Sequence, residues 1–276
     1  MNLFEKIVHS LARHTMETPP SYGWFHLTFL LVVILTTVGV CIWFHRRPNN
    51  KALRRFLFVC WVVILLFEVG KQIIFSFSLN PETQEVTWDY QWYAFPFQLC
   101  SSPLYLLPFA VFLKEGKARQ GVCIFLATFS LFGGIVVFFY PNDVFIPIVF
   151  INFQTMIHHG VQIIVGVLLL SYYKKELSFK WFLYGLAVYV IIIATAMLLN
   201  EVVPRYIDES FNMLYISPYF PCTLPILSTI YSLAPYSIFL LIYLLGFSGI
   251  AIGILYTSKG IIRLIQKQPN KTKNRP

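Results

Sequence analysis

The sequence predicts an all-α, polytopic membrane protein with seven transmembrane helices. Three observations predict it. Hydrophobic residues make up 57% of the chain and charged residues only 12%, and the mean hydropathy is +0.67, more apolar than an ordinary soluble domain. Seven apolar runs each approach the roughly 20 residues that a helix needs to cross about 30 Å of hydrocarbon. Lysine and arginine crowd into every second loop, as membrane topology requires.

The runs fall at 24–44, 54–78, 95–113, 121–140, 154–173, 180–200 and 235–258. Only helices suit them, because a segment in lipid has to satisfy its own backbone hydrogen bonds. Ahead of the first run, Leu3, Phe4, Ile7, Val8 and Leu11 recur at helical spacing. That pattern predicts a short amphipathic helix lying on the membrane surface. The first run ends in His45-Arg46-Arg47 rather than at a small-residue cleavage site, so no cleaved signal peptide is expected.

Charge orients the runs. Arg46, Arg47, Lys51, Arg54 and Arg55 follow the first run; Glu82, Glu85 and Asp89 follow the second. Lys114, Lys117 and Arg119 follow the third, and Asp143 the fourth. Lys174, Lys175 and Lys180 follow the fifth, and Arg205 stands among Glu201, Asp208 and Glu209 after the sixth. The end of the chain is basic, with 266–276 read as a disordered cytoplasmic tail near anionic lipid. An odd number of crossings follows, with the N-terminus outside and the C-terminus in the cytoplasm of a cell-membrane protein. The whole chain, 1–276, reads as one transmembrane domain. A net charge of +9 could suggest nucleic acid, but its confinement to alternate loops points to topology, and no nucleic-acid partner is expected.

This topology gathers the polar residues on the outer side. Cys100 lies near the outer end of the third run, in Phe95-Pro96-Phe97-Gln98-Leu99-Cys100-Ser101-Ser102-Pro103. His158 and His159 sit near the outer end of the fifth, in Gln154-Thr155-Met156-Ile157-His158-His159-Gly160-Val161-Gln162. Glu68, Lys71 and Gln72 occupy the outer half of the second. Asn200 and Glu201 close the sixth, and Asn212 and Tyr215 belong to the outer loop 201–234, which is too apolar for a linker and reads as a lid or re-entrant segment. An ionisable residue at membrane depth costs a few kcal/mol, so its clustering argues for one polar pocket opening outward. The bland alternatives are real: Glu68 and Lys71, three apart, could merely neutralise one another, and membrane helices accept cysteine as a small hydrophobe. Cys41, Cys60 and Cys123 read as packing residues, while Cys222 shares the outer side with Cys100 and could form a disulfide with it. Adjacent histidines point about 100° apart on a helix, so His158 and His159 face different neighbours.

Three chemistries fit a cysteine, a histidine and a carboxylate. A thiol activated by imidazole could attack an ester carbonyl. The set could bind a metal, although no close-spaced ligand motif is present and none is expected. Or the pocket could bind a lipid or carry a solute without reaction. Transport is less favoured, because the inner halves of the runs lack polar residues and no internal repeat is seen.

The stretch 95–108 resembles the short Pro-x-x-Leu-Cys signature of the YwaF-like integral membrane proteins of Gram-positive bacteria. Further matches follow in order: Gly133-Gly134 with Tyr140-Pro141-Asn142, His158-His159-Gly160, Asn212-Met213-Leu214-Tyr215-Ile216 with Pro218, and Ala234-Pro235-Tyr236. That family is similar to a eukaryotic transmembrane acyltransferase acting on ether phospholipids. More distantly it resembles androgen-induced membrane hydrolases of fatty-acid esters, which use a Thr nucleophile and a His. The resemblance implies Cys100 as nucleophile and His159 as base, with Gln98 standing where many relatives carry histidine. It implies a lipid acyltransferase or ester hydrolase working near the outer leaflet on phospholipid or fatty-acyl substrates, without a cofactor. Glu68, Lys71, His158, Gln98, Asn200, Asn212 and Tyr215 are then expected to shape the substrate pocket. The competing expectation is a non-enzymatic transporter or lipid-binding accessory protein.

Overall fold

The computed structural model describes residues 3–12, 14–80, 82–83, 85–141 and 144–267. Among these, six helices are long and apolar enough to cross a membrane: α2 (Trp24–Arg46), α3 (Asn50–Ser76), the composite helix Lys117–Phe139, α7 (Val149–Tyr172), α8 (Phe179–Tyr206) and α10 (Tyr236–Lys267). The chain is a multi-pass membrane protein. A short N-terminal helix, α1 (Leu3–Ala12), packs on α3 through the buried Val8. Asn49 caps α3 by accepting from the Ala52 N–H, and Ser178 caps α8 by accepting from the Trp181 N–H. The tail beyond Lys267 lies outside the described residues.

The third run departs from the expected helix at 95–113. Its α-helix, α4, covers only Ser102–Phe112 and is preceded by short 3-10 turns at Trp92–Ala94 and Leu99–Ser101. Pro96 and Pro103 explain the delay, because the residue before a proline is pushed out of helical conformation and proline is at home in a first helical turn. Inside α4, Pro108 cannot donate to the carbonyl of Leu104, and the Trp61 indole N–H takes that place at 3.0 Å. The segment runs antiparallel to α3 along its whole length. Ala94 meets Gln72 near one end, Leu104 meets Trp61 in the middle, and the carbonyls of Val111 and Leu113 accept from Arg54 at the other.

A second departure follows α3, which stops at Ser76. Phe77 and Ser78, expected to be helical, belong to a small antiparallel hairpin of β1 (Phe77–Leu79) and β2 (Val86–Trp88). The composite helix comprises α5 (Lys117–Phe125), a π turn at Leu126–Ser130 and α6 (Leu131–Phe139). It and α7 are the most deeply buried spans, and the others surround them. Close approach is built in: a Cβ on Gly121 would lie 2.8 Å from the Tyr184 carbonyl, and one on Gly185 would lie 2.6 Å from Ile124. These two glycines let α5 and α8 cross in contact.

The two ends of the bundle differ. At one end Arg54, Glu115, Arg119, Asn50 and Tyr173 form a single network. Arg119 reads from the sequence as a loop charge. It is instead 1% exposed within α5 and donates to the Ala110 carbonyl at the end of α4. At the opposite end the segment between α8 and α9 (Leu227–Leu233) is folded into the core. Phe211, Met213, Leu214, Ile216 and Ser217 are all buried there, in line with the apolar composition of that loop.

Candidate functional site

Cys100 stands in the 3-10 turn that leads into α4, and α7 supplies what surrounds it. Gln154, His158 and Gln162 are spaced by four residues and therefore share one face of α7. From that face His158 Nε2–H donates to the Cys100 carbonyl at 2.9 Å. Gln162 Nε2 donates to the same oxygen at 2.8 Å and to Ser130 Oγ at 3.2 Å. One turn away, Gln154 Nε2 donates to Glu68 Oε2 at 3.3 Å. The three glutamines of this region, Gln72 included, could be found in the sequence only as polar residues in apolar runs, and that signal did not reveal their role.

His159 points elsewhere, as the 100° rule anticipates. Its Nδ1–H donates to the carbonyl of Thr155 at 2.7 Å. A carbonyl only accepts, so each ring carries its proton on the nitrogen that faces one, and the other nitrogen is a bare lone pair. Those bare atoms, His158 Nδ1 and His159 Nε2, are buried without a protein partner, and so is Gln162 Oε1. The structure thus places His158, rather than His159, against the Cys100 backbone, and leaves both imidazoles with a free acceptor.

Glu68 is 3% exposed and fully engaged. Its Oε1 accepts from Lys71 Nζ at 3.2 Å and from Gln72 Nε2 at 2.7 Å, while Oε2 takes Gln154. Gln72 in turn donates to Ala94 O and accepts from Tyr90 at 2.9 Å. The charge of Lys71 is neutralised locally by Glu68.

The remaining expected residues build the lid. Gln98 donates to the Asn212 carbonyl at 2.9 Å and accepts from the Leu214 N–H at 2.8 Å. Asn200 spans the Met213 backbone in the same way, at 2.8 and 2.7 Å. Asn212 accepts from the Ser217 N–H and donates to the carbonyls of Phe220 and Pro221. A buried loop must satisfy its own backbone groups, and these amides do so. Tyr215 and Leu214 hold the left-handed conformation, at φ 59° and 57°, in the lid's tight turn. Beside Gln98 a small apolar crevice of about 40 Å³ is lined by Phe97, Gln98, Ser102, Tyr105, Leu106 and Ile192. The crevice is apolar rather than the polar pocket expected from the sequence.

All five cysteines are free, so Cys100 and Cys222 form no disulfide. Among the described residues no group of three or more His, Cys, Asp or Glu side chains could hold a metal ion.

Gly133 and Gly134 fix how close α6 comes to this site. A Cβ on Gly133 would meet the Cys100 Cα at 3.6 Å, an ordinary contact. One on Gly134 would come within 2.9 Å of both the His159 carbonyl and the Gln162 Cβ. Gly134→Ala is expected to cost about 1–3 kcal/mol as overpacking, and Gly133→Ala much less, as measured by thermal unfolding in detergent.

Residues 21–257 match the model of the TMEM164 family. No curated protein and no solved structure matches the chain.

Proposed function

The chain belongs to the TMEM164 family of transmembrane proteins, and from that premise we propose that it transfers or hydrolyses lipid acyl groups through a thioester on Cys100. The observation that carries this reading is a half-buried cysteine, within the apolar bundle, whose carbonyl is held by His158, with a second imidazole, His159, 5.6 Å from the first between ring centroids and its Nε2 bare. A polar cluster in such a place is costly and persists when it is paired, faces a cavity or does chemistry. His159 has its Nδ1–H oriented by a backbone carbonyl and its Nε2 lone pair free, the state a general base requires. In the proposed reaction His159 takes the thiol proton as Cys100 Sγ attacks the ester carbonyl. The tetrahedral intermediate expels the alcohol, which leaves with that proton, and a thioester stays on the enzyme. Water or an acceptor hydroxyl then gives up its proton to His159, attacks the thioester and releases the acyl product and the thiol. His158 holds the Cys100 backbone, Glu68 and Lys71 form the polar end of the site, and the flanking crevice takes apolar chain.

The proposed topology has seven crossings, the N-terminus outside and the C-terminus in the cytoplasm of the cell membrane. Leu99–Phe112 is too short to span alone, at about 21 Å for its 14 residues. The path from Ala94 to Val111, however, accompanies α3 from Gln72 to Arg54, about 27 Å of helix. The basic ends Arg46, Arg54, Lys114 and Lys174 lie together, as the contacts of Arg54 and Arg119 with residues 110–115 and Tyr173, and of Lys174 with His45, support. The N-terminal helix is proposed to lie at the membrane surface, with Ile7 outward.

The test is the intermediate. Purified protein in nanodiscs with phospholipid is quenched in acid and Cys100 is examined by mass spectrometry. An acyl mass, released by neutral hydroxylamine, is expected on Cys100. Its absence under turnover with a broad panel of diacyl and ether lipids, together with unchanged lipid composition, sinks the enzyme reading and favours a lipid-binding role.

A further inference from the structure

Two side-chain donors of α7 converge on one main-chain oxygen, that of the residue proposed as nucleophile. His158 is 3% exposed and Gln162 1%, so both N–H groups are aimed in a setting from which water is largely excluded. The carbonyl oxygen and the sulfur of one cysteine are only four covalent bonds apart. Donors that reach the first therefore lie within a few ångströms of the second, where an acyl group would form. Gln162 is itself steadied by Ser130, which the π turn at Leu126–Ser130 brings to the site. Single π turns often mark such functional places in helices.

From this geometry we infer that His158 Nε2–H and Gln162 Nε2–H form an oxyanion hole whose resting occupant is the protein's own Cys100 carbonyl. The inference rests on the acyl-cysteine reading above and adds two catalytic groups to it. When Sγ adds to the ester carbon, a C–S bond forms and the carbonyl π pair moves onto oxygen. That oxyanion takes over the two N–H donors from the Cys100 carbonyl. On collapse the C=O re-forms, the C–O bond to the alcohol breaks, and the alcohol departs with the proton held by His159. The donors act by charge stabilisation alone, and no proton leaves them. An imidazole at position 158 is then replaceable by any side chain that presents an N–H in the same place.

That replaceability is the test. Acylation of Cys100 is followed by mass spectrometry in single-turnover time courses, in nanodiscs, beside maleimide labelling of Cys100 as a measure of its placement. Gln162→Met and His158→Leu are each expected to slow acylation about 10²- to 10³-fold while the labelling rate stays within about twofold. His158→Gln, which restores an N–H near the position of Nε2, is expected to recover acylation to within about tenfold of wild type. If His158→Gln is as slow as His158→Leu, the imidazole moves a proton and the oxyanion assignment is overturned. If Gln162→Met acylates normally, or if labelling falls in step with acylation, the contacts are structural and the assignment is likewise overturned. Should Gln162→Met fail to fold, the His158 pair decides alone. A wild-type protein that never acylates removes the parent reading, an outcome distinct from either of these.

Discussion

Replacing Cys100 with alanine is expected to abolish acyl turnover, to below about 10⁻³ of wild type, while the protein folds as before. The fold survives because what holds residue 100 is its backbone. His158 and Gln162 grip the carbonyl, and the 3-10 turn closes through the Ser101 N–H on Gln98 O. Alanine keeps both. The side chain loses one sulfur at a half-buried position, a small packing change beside a full core deletion. The measurement is lipid turnover by mass spectrometry, with thermal unfolding and size-exclusion profiles as the folding control. Three of the four competing thiols are buried, and the half-buried Cys41 of α2 is replaced by alanine as a control. Cys60 and Cys123 are buried in the core, and Cys222, outside the spans, is buried as well, which pushes its thiol up and makes it a poor nucleophile. Turnover retained in Cys100→Ala ends the covalent mechanism.

The second large effect concerns Glu68. Glu68→Ala is expected to destabilise the protein by about 3–5 kcal/mol, because it strands the Lys71 ammonium and removes the acceptor from Gln72 and Gln154. Glu68→Gln keeps the shape and one acceptor oxygen, and should cost less. The double variant Glu68→Ala/Lys71→Leu should recover a good part of the loss, since no charge is then left unpaired. Unfolding in detergent by heat or denaturant reads all three. A single Glu68→Ala variant as stable as wild type would mean that Lys71 reaches water easily and that the pair belongs to the surface.

The spans were legible because lipid imposes a length and an apolar composition that no side-chain detail overrides. Six runs became helices, although α8 runs on to Tyr206 instead of 200 and α10 to Lys267 instead of 258, and the larger departures have local causes. Pro96 and Pro103 postpone α4 to Ser102, and the chain after Ser76 leaves the bundle and turns into strand pairing. Arg119 was misread because charge counting treats a cation near basic neighbours as solvated, whereas its carbonyl partner comes from another helix. The site was legible in part. The sequence brought Cys100, the histidine pair and Glu68 to one side, and the structure joins them through Gln154, His158 and Gln162. It could not reveal which histidine meets Cys100, because that depends on the rotation of α7 about its axis. Nor could it show that Gln98, Asn200 and Asn212 spend their amides on the lid, since a polar residue in an apolar run looks the same whether its partner is substrate or backbone.

The lid's fastening has a consequence for traffic. Gln98 and Asn200 together place four hydrogen bonds across its two shoulders. At about 1 kcal/mol net for each, lifting it costs about 4 kcal/mol before any apolar surface is exposed. With Phe211, Met213, Leu214 and Ile216 also buried there, it is raised in at most about one molecule in a thousand. A molecule arriving from the aqueous side would wait on that rare state. One already dissolved among the acyl chains would face no such wait if it entered from the flank beside Tyr105 and Ile192. For such a guest the relevant concentration is its mole fraction in the bilayer, and saturation curves plotted against bulk molarity would shift with every change in the amount of lipid.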